Sequence, residues 1–243
     1  MSKTIVIPGG SGFLGRTLST YFVEKGFRVI VLSRRPRPEQ NGVMTLSWDG
    51  ETLGPWTDVL EGATAMVNLA GRTVNCRYNE TNRQQIYQSR LRSTKVLGEA
   101  IAACRNPPAV WMNAASATIY RHAEDRPMDE TTGEIGKGFS VDVCQKWEAV
   151  LNGAQTPYTR KVALRSAMVF GPGDDGVFAA FHRIVRLGLG GTLGTGRQYV
   201  SWIHSRDFVR AIDFLLATEA LAGPINLASP NPLPNREFMR IFR

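Results

Sequence analysis

Only three of the 243 residues are cysteine (Cys76, Cys104 and Cys144), and no two of them form a C-x-x-C. That scarcity excludes a disulfide framework and a zinc ribbon, and it points to the reducing cytosol. No apolar run reaches the roughly 18 residues of a membrane-spanning helix. The N-terminus, MSKTIVIPGG, enters a strand pattern at once, which argues against a signal peptide. Internal repeats and low-complexity segments are missing as well. Acidic residues are in the minority, 21 against 29 basic ones, for a net charge of +8. Such a balance raises nucleic acid as a partner, but the positive residues are spread along the chain. Their densest cluster is RRPR, Arg34 to Arg37. A basic surface around a site for an anionic small molecule accounts for the charge better than a nucleic-acid groove.

What is present is an alternation of strands and helices. KTIVIPG reads as a buried strand, and GFLGRTLSTYFVEKG as an amphipathic helix ended by Gly26. FRVIVLSR is a second strand, Val43 to Trp48 a third, and Ala63 to Gly71 another apolar run ending in a small-residue turn. A long helix from about Glu80 to Cys104 and the strand AVWMNAASA follow. Near-continuous apolar strands between helices predict an α/β fold with a doubly wound parallel sheet covered on both faces, a Rossmann fold. After Gly171 the chain turns glycine-rich. We expect residues 1–170 to form the nucleotide-binding domain. Residues 171–243 should form mainly a smaller C-terminal substrate lobe, interleaved with the last sheet elements. The sequence stops at NREFMRIFR, within a helical pattern that carries no stop signal, so a chain cut inside a helix is expected.

IVIPGGSGFLG contains G-x-G-x-x-G (Gly10, Gly12, Gly15) and G-x-x-G-x-x-G (Gly9, Gly12, Gly15) between the first strand and the first helix. Glycines there permit the tight turn and a close backbone approach to a pyrophosphate, and the helix N-terminus offers free N–H groups. Gly9, Gly10, Ser11, Gly12, Phe13, Leu14 and Gly15 are therefore the expected dinucleotide-binding loop. An acidic residue roughly 20 positions on would hold the ribose 2′-hydroxyl of NAD. Ser33, Arg34 and Arg35 stand at that place instead. A guanidinium can hold a 2′-phosphate through two bonds and stack on adenine, so NADP(H) is the expected cofactor. The competing reading is that Arg34 and Arg35 are solvated loop charges before the proline-rich PRPEQN.

These residues resemble the extended short-chain dehydrogenase/reductase superfamily, and within it the epimerase-family subgroup often labelled cell-division-inhibitor (SulA) homologues. The likeness runs over essentially the whole chain. PGGSGFLG is similar to the family's T-G-x-x-G-x-x-G, with Pro8 in place of threonine. NLAG, Asn68 to Gly71, looks like the turn that lies along the cofactor, which implicates Leu69, Ala70 and Gly71. SATIY, Ser116 to Tyr120, resembles the segment whose serine contacts the reacting oxygen. LRSAMVFGPG and SWIHSRDFVRAI look like later family segments.

In the superfamily a tyrosine and a lysine one helical turn apart carry out proton transfer, the lysine lowering the phenol's pKa from about 10. YFVEK, Tyr21 to Lys25, has that spacing but lies in the first helix, where Tyr21 should pack on the sheet and Lys25 reach water. The helix that should carry the pair is FSVDVCQKWEAVLN. Family spacing puts Glu148 at a matching position and the pair at Ser140 and Cys144, both facing inward. Cys144 reads as a thiol acid or base, or as a small buried apolar residue.

Ser116 is the candidate for contacting a substrate oxygen, or else a strand-end serine capping backbone groups; Tyr120 is the candidate phenol. His204 reads as structural and His122 as a loop residue. Arg72 and Arg77 could meet an anion or be solvated, and Asp129 with Glu130 has no metal-site spacing. Trp202 could line the substrate cleft or fill the core. The expected protein is an atypical NADP(H)-dependent oxidoreductase or epimerase acting on a small polar substrate. The alternative is a non-catalytic NADP(H)-binding or sensing protein. A homodimer is compatible with either.

Overall fold

The computed structural model describes residues 3–173 and 176–243. Its strands are β1 (Thr4–Pro8), β2 (Arg28–Ser33), β3 (Val43–Ser47), β4 (Ala65–Asn68), β5 (Val110–Ser116), β6 (Arg160–Ser166), β7 (Met168–Phe170), β8 (Tyr199–Val200), β9 (Trp202–His204), β10 (Gly223–Leu227) and β11 (Leu233–Pro234). The helices are α1 (Phe13–Glu24), α2 (Glu80–Ala103), α3 (Phe139–Gly153), α4 (Val177–Arg186), α5 (Ser205–Ala217) and α6 (Asn235–Phe242).

Seven strands form one sheet in the order β10-β6-β5-β4-β1-β2-β3, and every neighbouring pair is parallel. Because side chains alternate across a strand, β1 serves two cores. Ile5 and Ile7 join Leu18 and Phe22 of α1 and Phe208, Ile212 and Leu215 of α5. Val6 joins Val96, Leu97 and Ile101 of α2 and Leu151 of α3 on the opposite face. Burial on both faces is why these strands are apolar at successive positions rather than at alternate ones. The fold is thus the doubly wound Rossmann-like arrangement that the strand and helix pattern predicts.

The order reverses at β1, with β4 on one side and β2 on the other. Connections leave in opposite directions there, opening a crevice at the carboxyl ends of the two central strands. Residues after 170 divide between two places. β10 forms the sheet edge beside β6 and α5 covers the main core, whereas Phe170, Val200, Phe238 and Met239 build a separate small cluster with Phe181 and Phe242. Among the described residues no helix is long and apolar enough to cross a membrane.

Candidate functional site

The crevice is a cleft of about 1130 Å³ lined by Gly9, Ser11 and Gly12, by Ser33, Arg34, Arg35 and Arg37, and by Leu69, Ala70 and Gly71. Each glycine of the loop has its own reason. Gly9 has φ +74°, and a Cβ there would lie 2.6 Å from the Ala70 backbone, so the loop and the turn after β4 touch chain to chain. A Cβ on Gly15 would lie 2.3 Å from Gly10, and one on Gly10 would strike Val31 at 2.8 Å, so those two glycines let α1 pack onto the sheet. Gly12 differs. It is the N-cap of α1, and a Cβ there would meet nothing within 4 Å. The free N–H groups of the first helical turn therefore face open space, the place a pyrophosphate requires. Phe13 and Leu14 turn their side chains into the core, leaving only their N–H groups for such a ligand.

At the end of β2 the buried Ser33 hydroxyl accepts the Arg35 N–H at 3.3 Å, holding the bend from which Arg34 and Arg35 project. Both arginines line the cleft, joined by Arg37, which the sequence presents only as part of a basic cluster. Arg72 lines the cleft too and is hydrogen-bonded to Gln85, whereas Arg77 is exposed on the loop.

Beneath the turn lies a polar cluster that no motif announces. Asn68, Thr94 and Asn113 are buried, with Asn68 Nδ2 donating to Asn113 Oδ1 at 2.6 Å and Asn68 Oδ1 accepting the Ala70 N–H at 3.0 Å. Arg90 of α2 also faces the turn. A Cβ on Gly71 would lie 3.3 Å from Arg90 Cζ, which sits 5.1 Å from the centre of the Trp147 ring. Burial lowers this guanidinium's pKa; among the described residues it makes one hydrogen bond, to the Ile86 carbonyl at 3.2 Å, and no ion pair.

Ser140 is half-buried near the start of α3 and Cys144 is buried one turn later, so the helix presents a hydroxyl and a thiol where the family's pair would stand. Burial pushes the Cys144 thiol up to about 11; Glu148 adds to the rise, and Arg90 and Arg165 oppose it. A thiol in that state is uncharged at neutral pH, so it does not supply the fixed positive charge of the family's lysine. Ser116 ends β5 and caps the short 3₁₀ turn after it, accepting the Thr118 N–H at 3.2 Å and donating to Thr118 Oγ1 at 2.9 Å. The Tyr120 hydroxyl accepts from Arg165 Nη1 at 2.8 Å and donates to Asn226 Oδ1 at 2.9 Å, which carries it towards the β10 edge of the sheet.

The other candidates make the following contacts. His204 caps α5, its Nδ1 accepting the Arg206 N–H, and His122 stands beside Glu124 in a loop. Asp129 caps Thr131 and Thr132, and Glu130 accepts the Asn226 N–H. Trp202 donates to the Asn231 carbonyl and packs in the small C-terminal cluster. Among the described residues no group of acidic, histidine or cysteine side chains could hold a metal ion.

Residues 5–228 match the profile of the NAD dependent epimerase/dehydratase family. An epimerase family protein of Mycobacterium leprae, ML0860, is 32% identical over 239 residues, spanning 98% of this chain and 76% of the relative. The crystal structure of human epimerase family protein SDR39U1 (isoform 2) with NADPH superposes with a TM-score of 0.84 at 30% identity, covering 97% of this chain and 77% of that one. A nucleoside-diphosphate sugar epimerase from Corynebacterium glutamicum superposes with a TM-score of 0.83 at 26% identity, covering 100% of this chain and 50% of that one. A cleft at the reversal point, a glycine loop opening onto it and these likenesses lead to one conclusion: the chain belongs to the NAD dependent epimerase/dehydratase family, in the epimerase-family subgroup of the extended short-chain dehydrogenase/reductases.

Proposed function

We propose that the chain binds NADP(H) in this cleft and acts as an oxidoreductase or epimerase-type enzyme on a small polar substrate, a sugar nucleotide or another carbonyl compound. The observation that carries the cofactor choice is the guanidinium set Arg34, Arg35 and Arg37 around Ser33, where an NAD-selective site sets a carboxylate. The NADPH named with the human SDR39U1 structure supports the same choice. Gly9, Gly10, Ser11, Gly12, Phe13, Leu14 and Gly15 would hold the pyrophosphate through the loop and the first N–H groups of α1. Leu69, Ala70 and Gly71 would line the next stretch, with Arg90 behind Gly71. Bound nicotinamide would supply or accept the hydride.

In this reading Ser116 orients the substrate oxygen, turning its proton from Thr118 to that oxygen. Tyr120 is the nearest phenol in sequence, and its hydroxyl would have to leave Asn226 to give up a proton. A second reading, NADP(H) binding or sensing without turnover, draws support from Ser140 and the neutral Cys144 in place of a Tyr/Lys pair. Titration with NADPH and NADH, followed by turnover of bound NADPH against carbonyl compounds and sugar nucleotides, tests both. Preference for NADPH is expected, and equal affinity overturns the cofactor assignment. Turnover with any of these substrates selects the enzyme over the sensor.

A further inference from the structure

One indole reaches two adjacent residues of the cleft by two separate routes. Trp147 of α3 is buried and donates its Nε1–H to Thr94 Oγ1 at 2.8 Å. Thr94 Oγ1 lies 3.5 Å from Asn113 Oδ1 and 3.4 Å from Asn68 Nδ2, and Asn68 Oδ1 holds the Ala70 N–H. On the other side the Trp147 ring carries the Arg90 guanidinium, which fills the space a Gly71 side chain would take. Ala70 and Gly71 both line the cleft.

The chemistry of the donors gives the first route a direction. An indole nitrogen can only donate. The Thr94 oxygen that accepts from it is left with its own proton to give, and Asn113 Oδ1 is the acceptor in reach. With its carbonyl so placed, Asn113 takes the Asn68 amide, and Asn68 must turn its carbonyl to the Ala70 N–H. Trp147 thus anchors one end of a buried chain whose other end is the cleft wall, and the bond from Asn113 Nδ2 to the Ala114 carbonyl at 2.9 Å holds the Asn113 amide in the same sense. Packing alone does not demand this bond: the equally buried indole nitrogens of Trp48 and Trp111 have no partner among the described residues.

We propose that Trp147 is a positioning residue for the ligand in the cleft, acting on the Ala70–Gly71 turn through Thr94 on one side and Arg90 on the other. The proposal rests on the NADP(H) reading. The turn follows β4, whereas the proposed 2′-phosphate site follows β2, on the far side of β1. Trp147 therefore governs binding of the whole dinucleotide but not of its adenosine 2′-phosphate end.

The test compares the wild type with Trp147→Phe, Thr94→Val and Thr94→Ser, each well below its melting temperature. Calorimetric titrations use NADPH, NADH and adenosine 2′,5′-bisphosphate. Trp147→Phe keeps an aromatic ring beneath Arg90 but removes the N–H together with part of the indole. Thr94→Val removes the same bond at nearly constant shape and so separates the bond from the lost volume, while Thr94→Ser keeps the hydroxyl. Trp147→Phe and Thr94→Val should each weaken NADPH roughly three- to tenfold, the worth of one buried hydrogen bond. Thr94→Ser should retain wild-type affinity, and adenosine 2′,5′-bisphosphate should bind all four proteins equally. Unchanged NADPH binding in Trp147→Phe and Thr94→Val overturns the inference and leaves the cofactor reading standing. So does a loss shared equally by the bisphosphate, which would mark general damage to the cleft. A wild type that binds neither dinucleotide overturns both.

Discussion

Arg165 and Glu148 face each other through two hydrogen bonds of 2.8 Å each, one from Nε and one from Nη2. The pair joins β6 to α3, and only 9% of the arginine side chain and 11% of the glutamate remain exposed. A fork of this kind matches a carboxylate in both spacing and charge, and Arg165 has a donor left over for the Tyr120 hydroxyl. Removing one charge from such a site leaves the other buried without compensation, which costs about 3–5 kcal/mol. Glu148→Leu and Arg165→Met should therefore each lower the unfolding free energy by about that amount, whereas the two combined should cost far less than the singles summed. Urea unfolding of the four proteins measures the coupling.

Tyr120 hangs on the same guanidinium. Tyr120→Phe removes its bonds to Arg165 and Asn226 while keeping the ring, so about 1–2 kcal/mol of stability should be lost, with nucleotide affinity unchanged. Turnover separates the roles: a brace predicts a modest fall in kcat, while a proton-transferring phenol predicts a loss of about a hundredfold or more. Ser116→Ala is read in the same assay, and unchanged turnover would take the substrate contact away from Ser116.

Selectivity for the 2′-phosphate should reside at the end of β2. Arg34→Ala and Arg35→Ala should each weaken NADPH by about ten- to a hundredfold, the worth of a charge-assisted bond, and leave NADH nearly unaffected. Raising the salt concentration should narrow the wild-type preference, because both side chains are exposed. Variants that lose NADPH and NADH alike would show that these arginines serve the cleft as a whole.

Legibility in the sequence followed locality. The glycine loop could be read because its requirements, a strand, a tight turn and a helix start, lie within a dozen or so consecutive residues, and the sheet could be read because burial on both faces leaves continuous apolar runs. The tyrosine and lysine of YFVEK could be set aside by position, but not their partner: the Tyr21 hydroxyl donates to Asp213 at 3.0 Å and Lys25 pairs with the same carboxylate. Lys25 does reach water, 44% of its side chain staying exposed, and it also ties α1 to α5; nothing near it in the chain signals an acid on another helix. The cluster beneath Ala70 is hidden for the same reason, since Thr94, Asn113 and Trp147 meet only once α2, β5 and α3 have packed. Ser140 and Cys144 were legible as a departure from a family pattern. The raised pKa of Cys144 was not, because it comes from burial and from Glu148.

That thiol makes stability fall with alkaline pH. Its pKa in the folded protein is about 11, above the usual value of 9.0, so between these two pH values the unfolded chain releases the proton and the native one retains it. Where the native state binds more protons than the unfolded state, unfolding free energy decreases as pH rises. The wild type should lose on the order of 2 kcal/mol from this group across that window. Cys144→Val should remove that part of the slope and leave the shares of other groups. Tyr87, whose hydroxyl is pushed up to about 12 chiefly by burial and by its bond to Asp142, acts in the same sense, as do Cys104 and Lys25, which are also raised; Lys161, lowered by burial, acts in the opposite sense. Urea melts at neutral and alkaline pH give the two slopes, and parallel lines would contradict the assignment.

Two glycines of the loop should respond to alanine in opposite ways. At Gly9 the added carbon would stand 2.6 Å from the Ala70 backbone at a φ of +74°, so the loop and the turn must separate. Strain and overlap together should cost about 2–3 kcal/mol, and melting temperature and nucleotide affinity should fall together. At Gly12 the backbone is already extended, φ −81° and ψ 179°, and the added carbon meets no protein atom. Gly12→Ala should therefore fold with a loss of about 1 kcal/mol or less, the difference between glycine and alanine at an N-cap. The methyl would instead occupy the space over the first N–H groups of α1, where a pyrophosphate has to approach. NADPH affinity should drop by about tenfold or more in a chain of nearly wild-type stability, because one lost charge-assisted contact is worth that much. A Gly12→Ala protein that keeps full affinity would place the pyrophosphate away from this helix end.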